Sequence, residues 1–251
     1  MPKTDYIELK NAGINIPILY ENRSIMIIDK PAGWILAPSH WKNTSRNLQR
    51  EIEISIFARD FWARCRNLKY LRFIHRLDAD TSGLLILAKN PGAIQAYNKL
   101  FLNGLIEKTY AAVVHGVPKW KKTICSLPIA PRKDSNLVSI NHSAGKPAET
   151  IFFCLKVKNG KSLIQAFPKT GRTHQIRVHL SALNLPVVGD VLYGKENNKK
   201  TTNSSLALRA VRLRFQDPFE KKQIDVQAPL NEFLSEYGFE IQDWKWQSID
   251  L

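Results

Sequence analysis

The sequence predicts an α+β fold, a mixed and mainly antiparallel sheet with flanking helices. Three observations predict it. Strand-like and helix-like patterns alternate irregularly along the chain, without a steady βαβ rhythm. "TIFFCLKV" and "SLIQAF" flank "KNGK", where Asn159-Gly160 is a strong type I′ hairpin signal. "SGLLILAKN" (82–90) has the length and apolarity of a strand buried on both faces. A chain of 251 residues can close one large domain, or two small ones, around a substantial core.

Taken in order, residues 1–17 read as a lead-in and 18–245 as the main domain. A strand is expected from Ser24 to Asp29, then a Pro-Ala-Gly turn and a second short strand. After an Asn43-Thr44-Ser45 cap signal, Leu48, Ile52 and Ile56 recur at helical spacing up to about Arg64. Pro91 starts the next helix, with Ile94, Tyr97 and Phe101 inward and Asn103-Gly104 at its end. "EKTYAAVVHG" is a strand. "THQIRVHLSALNLP" is helical: Thr173 can cap it, Asn184 can close it, and Pro186 forbids continuation. "LALRAVRLRF" alternates, with Val211, Leu213 and Phe215 on one face and Arg212 and Arg214 on the other. "KENNKKTTNSS" (195–205) is a polar, low-complexity loop.

Charge narrows the functional classes. Lys plus Arg number 37 and Asp plus Glu 22, so the net charge is 37 − 22 = +15. A surplus of that size repels itself unless a polyanion is the partner. Nucleic acid leads, anionic lipid follows, and a basic enzyme that binds no polyanion ranks lower because the arginines cluster. The three cysteines, Cys65, Cys125 and Cys154, form no C-x-x-C pair and are odd in number. That argues against a disulfide framework or zinc knuckle and for a reducing, cytoplasmic setting. No apolar run reaches the length of a membrane span, and "MPKTDYIELKNAG" lacks a signal-peptide core.

Two segments carry chemistry. In "HRLDADTSG", Asp78 and Asp80 can be ordinary turn residues at a strand entry. Asp78, however, has Arg76 close before it and a Thr81-Ser82-Gly83 turn after it. A carboxylate held by an arginine and turn hydroxyls stays charged, a poor general acid but a competent nucleophile or charge stabiliser. In "TGRTHQIRVHL", His174 and His179 are five apart, about 140° around a helix axis, and cannot chelate one ion together. No metal site is expected there, and His174 reads as a structural histidine. Ile176, Leu180 and Leu183 form the buried stripe, leaving His174, Arg177 and Ser181 on a polar face where Arg177 can meet a carboxylate such as Asp78. No phosphate-binding loop and no G-x-G-x-x-G is present, so no nucleotide cofactor is indicated. Ser82 lies outside any G-x-S-x-G elbow, against a serine hydrolase.

Together, "YENRSIMIIDKPAGWILAP", "HRLDADTSGLLILAKN", "EKTYAAVVHG", "TGRTHQIRVHL" and "GDVLYG" resemble, in order and spacing, the motifs of RluA-type RNA pseudouridine synthases. The resemblance runs from about Tyr20 to Pro218. It implies the pseudouridine synthase fold, a central cleft and an isomerisation that uses no cofactor. It makes Asp78 the nucleophile, Tyr110 (two after Lys108) the residue that stacks on the flipped base and assists proton transfer, and Arg177 the partner of the aspartate. Arg76 would extrude or hold the nucleotide, with Arg172 and His174 nearby, and Arg212 and Arg214 would serve the phosphate backbone. Asp80 matches a variable position and carries no chemistry. The implied partner is structured RNA, ribosomal or transfer, and the implied state is a monomer. The chain departs from the pattern at Trp34, Ala37 and Arg209, which bears on substrate contacts more than on the reaction. No room precedes Tyr20 for an S4-like domain, so substrate selection is expected to rest on the catalytic domain. The competing readings are a non-catalytic RNA-binding or RNA-folding protein of the same fold, and a metal-dependent nuclease, which fails on ligand spacing.

Overall fold

The computed structural model describes residues 3–36, 46–132, 137–194 and 205–249. The fold is α+β, with a mixed, mainly antiparallel sheet and flanking helices. The chain divides into two compact units, Met1–Ile106 with Arg212–Ala228, and Glu107–Val211 with Pro229–Leu251.

The first unit opens with β1 (Tyr6–Leu9) and β2 (Ile14–Glu21), so the stretch expected as a lead-in contributes two strands. Its apolar residues explain this: Ile7, Leu9 and Ile16 are fully or almost fully buried. Then come β3 (Ile25–Lys30), α1 (Leu48–Phe57), α2 (Phe61–Arg64), β4 (Arg72–Phe73), β5 (Ser82–Ala88) and α3 (Pro91–Leu102). The strands run β1-β2-β3-β5, all antiparallel, with β4 also on β5. Four successive residues of β3 and six of β5 are buried, as an apolar run without alternation requires when both faces are covered. Helix α1 starts from Asn47, whose side chain accepts from the Arg50 amide; the Asn43-Thr44-Ser45 signal lies outside the described residues.

The single helix expected to reach Arg64 is broken. Arg59 sits at φ 56°, and Asp60 takes the Ser55 hydroxyl at 2.5 Å, which in turn accepts from the Trp62 indole at 2.7 Å. Trp62 is thereby buried. Helix α3 matches expectation: Asn90 caps it, Pro91 opens it, and Asn103 closes it before Gly104 at φ 67°.

The second unit contains β6 (Glu107–His115), β7 (Lys122–Cys125), β8 (Ile129–Pro131), β9 (Val138–Ile140), β10 (Thr150–Lys158), β11 (Lys161–Pro168) and α4 (Gln175–Ala182). Its strands run β6-β11-β10-β7, antiparallel throughout, beside a β8-β9 pair. Asn159 and Gly160 connect β10 to β11 at φ 52° and 71°, the two positive values that a type I′ turn demands. Strand β12 (Leu208–Gln216) belongs by its first four residues to the second unit and by the rest to the first, where β13 (Gln223–Gln227) pairs with it. Its burial alternates from Val211 onward, with Val211, Leu213 and Phe215 inward, whereas Leu208, Arg209 and Ala210 are buried without alternation. Helix α5 (Asn231–Glu236) completes the second unit, whose core includes Phe152, Leu163, Leu180, Val211 and Leu234.

Among the described residues no helix is long and apolar enough to cross a membrane, and no group of three or more His, Cys, Asp or Glu could hold a metal ion. Cys65, Cys125 and Cys154 are free thiols.

Candidate active site

In the first unit, Asp78 sits at the head of the turn leading into β5. The Thr81 amide donates to the Asp78 carbonyl at 3.2 Å, and Gly83, at φ 107°, is the second residue of the strand and pairs in register with Lys30. Two elements of "KPAG" clamp this turn from beneath. The Lys30 ammonium, fully buried, donates to the carbonyls of Ala79 (2.7 Å), Thr81 (2.9 Å) and Pro31 (2.9 Å). The Gly33 amide, at φ 80°, donates to the same Ala79 carbonyl at 2.9 Å. An ammonium has three protons, and here all three are used. Burial pushes the Lys30 pKa down to about 8, with Asp80 and Asp78 opposing the shift. His75 pins the other flank: its Nε2 accepts from the Ile86 amide at 3.1 Å, and its ring meets Phe101 at 4.7 Å. Arg76 is exposed, Asp78 half-buried and Asp80 exposed.

In the second unit, α4 presents the polar face that the spacing predicted. His174, Arg177 and Ser181 all meet Tyr193: His174 Nδ1 lies 2.8 Å from its hydroxyl, Arg177 packs over its ring at 5.3 Å, and the Ser181 hydroxyl donates to its carbonyl at 2.9 Å. Arg177 is buried and makes a two-pronged pair with Asp190, Nε to Oδ2 and Nη2 to Oδ1, both 2.8 Å. Asp190 Oδ1 also accepts from the Leu192 and Tyr193 amides at 3.0 Å each. "GDVLYG" is therefore the socket that fixes the guanidinium, whose rigid fork fits a carboxylate in one orientation.

The start of α4 differs from expectation. His174, at φ 51°, takes the cap position in place of Thr173, because its ring is drawn to Tyr193. Gln175 supplies the anchoring that a cap side chain would: its Nε2 donates to the Glu149 carbonyl and Thr150 hydroxyl, both 2.9 Å, while its Oε1 accepts from the Thr170 hydroxyl and Arg172 amide. His179 faces away from His174, holding the Leu127 carbonyl (2.9 Å) and Thr150 (3.0 Å), and burial lowers its pKa. Arg172 is exposed, with Nε on the Pro147 carbonyl at 2.9 Å.

Tyr110 lies on β6 in register with Ala166 of β11, its side chain half-buried. Lys108, two residues before it on the same face, donates to the Thr170 carbonyl at 3.3 Å, and burial pushes its pKa down to about 8. Of the two β12 arginines expected on the phosphate backbone, Arg212 is paired two-pronged with Asp225, holding that carboxylate below its ordinary pKa, while Arg214 is exposed. Arg209 is buried, with Nε on the Pro229 carbonyl at 3.0 Å, and Trp34 is buried too; Ala37 lies outside the described residues.

Reasoning from the sequence missed Lys30, Gly33, Asp190, Gln175 and Tyr193 as parts of the site. "KPAG" and "GDVLYG" were visible as motifs, but nothing in their spacing says what they hold.

The family described as RNA pseudouridylate synthase matches residues 24–182. An uncharacterised RNA pseudouridine synthase of Zymomonas mobilis is 34% identical over 227 residues, covering 88% of this chain and 97% of that protein. A ribosomal large subunit pseudouridine synthase C of Buchnera aphidicola is 36% identical, covering 86% of this chain and 68% of its own length. Among solved structures, human RNA pseudouridylate synthase domain containing 1 superposes with a TM-score of 0.69 at 27% identity, covering 86% of this chain and 83% of that one.

Proposed function

The chain belongs to the RNA pseudouridylate synthase family and is an isomerase of RNA; on that premise we propose that Asp78 is its nucleophile and large-subunit ribosomal RNA its substrate. One observation carries the first part. Lys30 and Gly33 fix the 78–81 backbone through three hydrogen bonds to two carbonyls, those of Ala79 and Thr81, so Asp78 sits on a rigid turn at a strand end. Rigid support of this kind is what a reacting group needs, since small misplacements cost large factors in rate.

The reaction breaks the bond from uracil N1 to ribose C1′, turns the base, and joins C5 to C1′. The proton leaves C5 and N1 gains one, so atoms balance without an added group. Attack at C1′, addition to the ring and removal of the C2′ proton all require a charged carboxylate beside the ribose, the role given to Asp78. Tyr110 stacks on the extruded base and takes part in the C5 proton transfer. Arg177, whose guanidinium is oriented by Asp190, is given the part of the basic residue of the reaction. Arg76 holds the nucleotide out of its stack, Arg172 and His174 contact the RNA, and Arg214 serves the phosphate backbone, Arg212 being committed to Asp225.

Base extrusion costs a few kcal/mol. Stacking on an aromatic side chain returns about 1–3 kcal/mol. The remainder comes from phosphate contacts, for which the +15 charge supplies the field. The ribosomal assignment rests on the relatives named for that activity, including those of Buchnera and Vibrio.

The test incubates the protein with unmodified total RNA in chelator and maps carbodiimide-reactive uridines. New stops at one or a few sites in large-subunit ribosomal RNA are expected. Stops confined to transfer RNA would overturn the substrate, shortened RNA would indicate a nuclease, and binding without any new stop would indicate a non-catalytic RNA-binding protein.

A further inference from the structure

At the opposite end of β3 from the Asp78 turn lies a second basic feature, a cleft of about 720 Å³ within the first unit. Its charged lining is Lys3, Arg23, Arg66, Lys69 and Lys89 around one carboxylate, Glu21. That is five cations less one anion, a local excess of four.

The charges are not equivalent. Glu21 accepts from Lys89 at 2.5 Å and Arg66 at 2.9 Å, with Lys3 at 3.7 Å. Burial works to raise the Glu21 pKa, but the hydrogen bonds from these cations hold it below its ordinary value. Arg66 is further committed to the Trp62 and Thr4 carbonyls, and Lys89 to the Asn22 carbonyl at 2.6 Å. These two form the floor. Arg23 and Lys69 form the rim: both are exposed and, among the described residues, neither has an ion-pair partner. Arg23 is held outward by a turn in which the Asn22 side chain accepts from the Ser24 and Ile25 amides, at 2.8 and 2.9 Å. Lys69 follows Asn67 (φ 50°) in the loop after α2, and next to it Tyr70 is half-buried in the cleft wall. Cations with an adjoining aromatic face are the equipment of a strand-binding site: phosphates meet the charge and an unpaired base meets the ring.

Position matters as much as composition. Strand β3 is six residues long, and at about 3.3 Å per residue its ends are about 17 Å apart. Lys30 at one end grips the Asp78 turn, and Asn22 and Arg23 sit just beyond the other. The cleft therefore lies several nucleotides from the reacting uridine, beyond the reach of that nucleotide itself.

We propose that this cleft is a second RNA contact, binding backbone phosphates and one unpaired base of the substrate away from the target uridine. It rests on the reading of the chain as an RNA-modifying enzyme and adds substrate selection at a distance from the target uridine.

The test compares wild-type protein with the Arg23→Ala/Lys69→Ala double variant and with Tyr70→Leu, using the large-subunit RNA fragment that wild type modifies. Thermal unfolding checks that the variants fold. Equilibrium affinity is measured from 50 to 300 mM salt. The double variant is expected to bind at least tenfold more weakly at 100 mM salt. Its plot of log affinity against log salt should be shallower by about 1.5, the contribution of two phosphate contacts. Tyr70→Leu is expected to weaken binding several-fold with the slope unchanged. Affinity and slope within twofold of wild type would overturn the proposal, as would weaker binding of the double variant with an unchanged slope. Absence of pseudouridine with wild-type protein would overturn the functional reading instead, independently of the binding result.

Discussion

Lys30 carries a positive charge into the core, and the consequences are measurable. Its folded pKa of about 8 lies below the ordinary 10.5, and Lys108 is lowered to about 8 as well, both by burial. Between these values the unfolded chain binds more protons than the folded one, so stability rises with pH from about 8 towards 10. Above pH 10 the buried phenols of Tyr97 and Tyr237, both raised by burial, reverse the trend, because they ionise only in the unfolded chain. Urea unfolding at a series of pH values should show this maximum, and Lys30→Met should lose part of the rise below it. The same variant leaves the Thr81 carbonyl without its ammonium donor, at about 1–3 kcal/mol for a buried acceptor, while the Ala79 carbonyl keeps the Gly33 amide. Product formation should fall while the salt dependence of RNA binding stays as in wild type. Asp190→Asn should cost about 3–5 kcal/mol in urea unfolding, since it leaves the Arg177 guanidinium buried without its counter-charge. Asp78, Tyr110 and Arg177 can be proposed from the sequence because each sits in a motif whose residues are neighbours along the chain. Lys30 cannot: its partners lie 49 and 51 residues away, and one lysine in a basic chain gives no sign that it is buried.

At the level of elements, local signals succeeded where the backbone itself was constrained. Asn159-Gly160 closes its hairpin with both residues at positive φ, and a Cβ at Gly160 would meet nothing within 4 Å. Gly160→Ala therefore tests backbone strain alone and should destabilise by about 1–2 kcal/mol in urea unfolding. Pro91 and Asn103-Gly104 bounded α3 for the same reason. Signals failed where a distant side chain outbid them. Thr173 has a good capping side chain, yet His174 takes the position because Tyr193 holds its ring. The helix from Leu48 breaks after Phe57 because Ser55, Asp60 and Trp62 form a buried hydrogen-bonded set. Residues 1–17 read as a lead-in, but Ile7, Leu9 and Ile16 suffice to bury one face of two strands.

Over the whole molecule, the +15 charge is the most legible property and the least specific. It implied a polyanion without saying where on the surface one binds. The structure divides the basic residues into those already spent and those available: Arg66, Arg177 and Arg212 hold carboxylates, while Arg23, Lys69 and Arg214 are exposed. RNA affinity should accordingly fall by at least tenfold between 50 and 200 mM salt, since six or more phosphate contacts would give about a thousandfold. The central claim is that the Asp78 carboxylate reacts with a flipped uridine. Its most direct test is Asp78→Asn in a single-turnover assay with the RNA that wild type modifies. The account predicts binding within about threefold of wild type and a rate lower by at least about 10³. Pseudouridine formed at a rate within tenfold of wild type would contradict it.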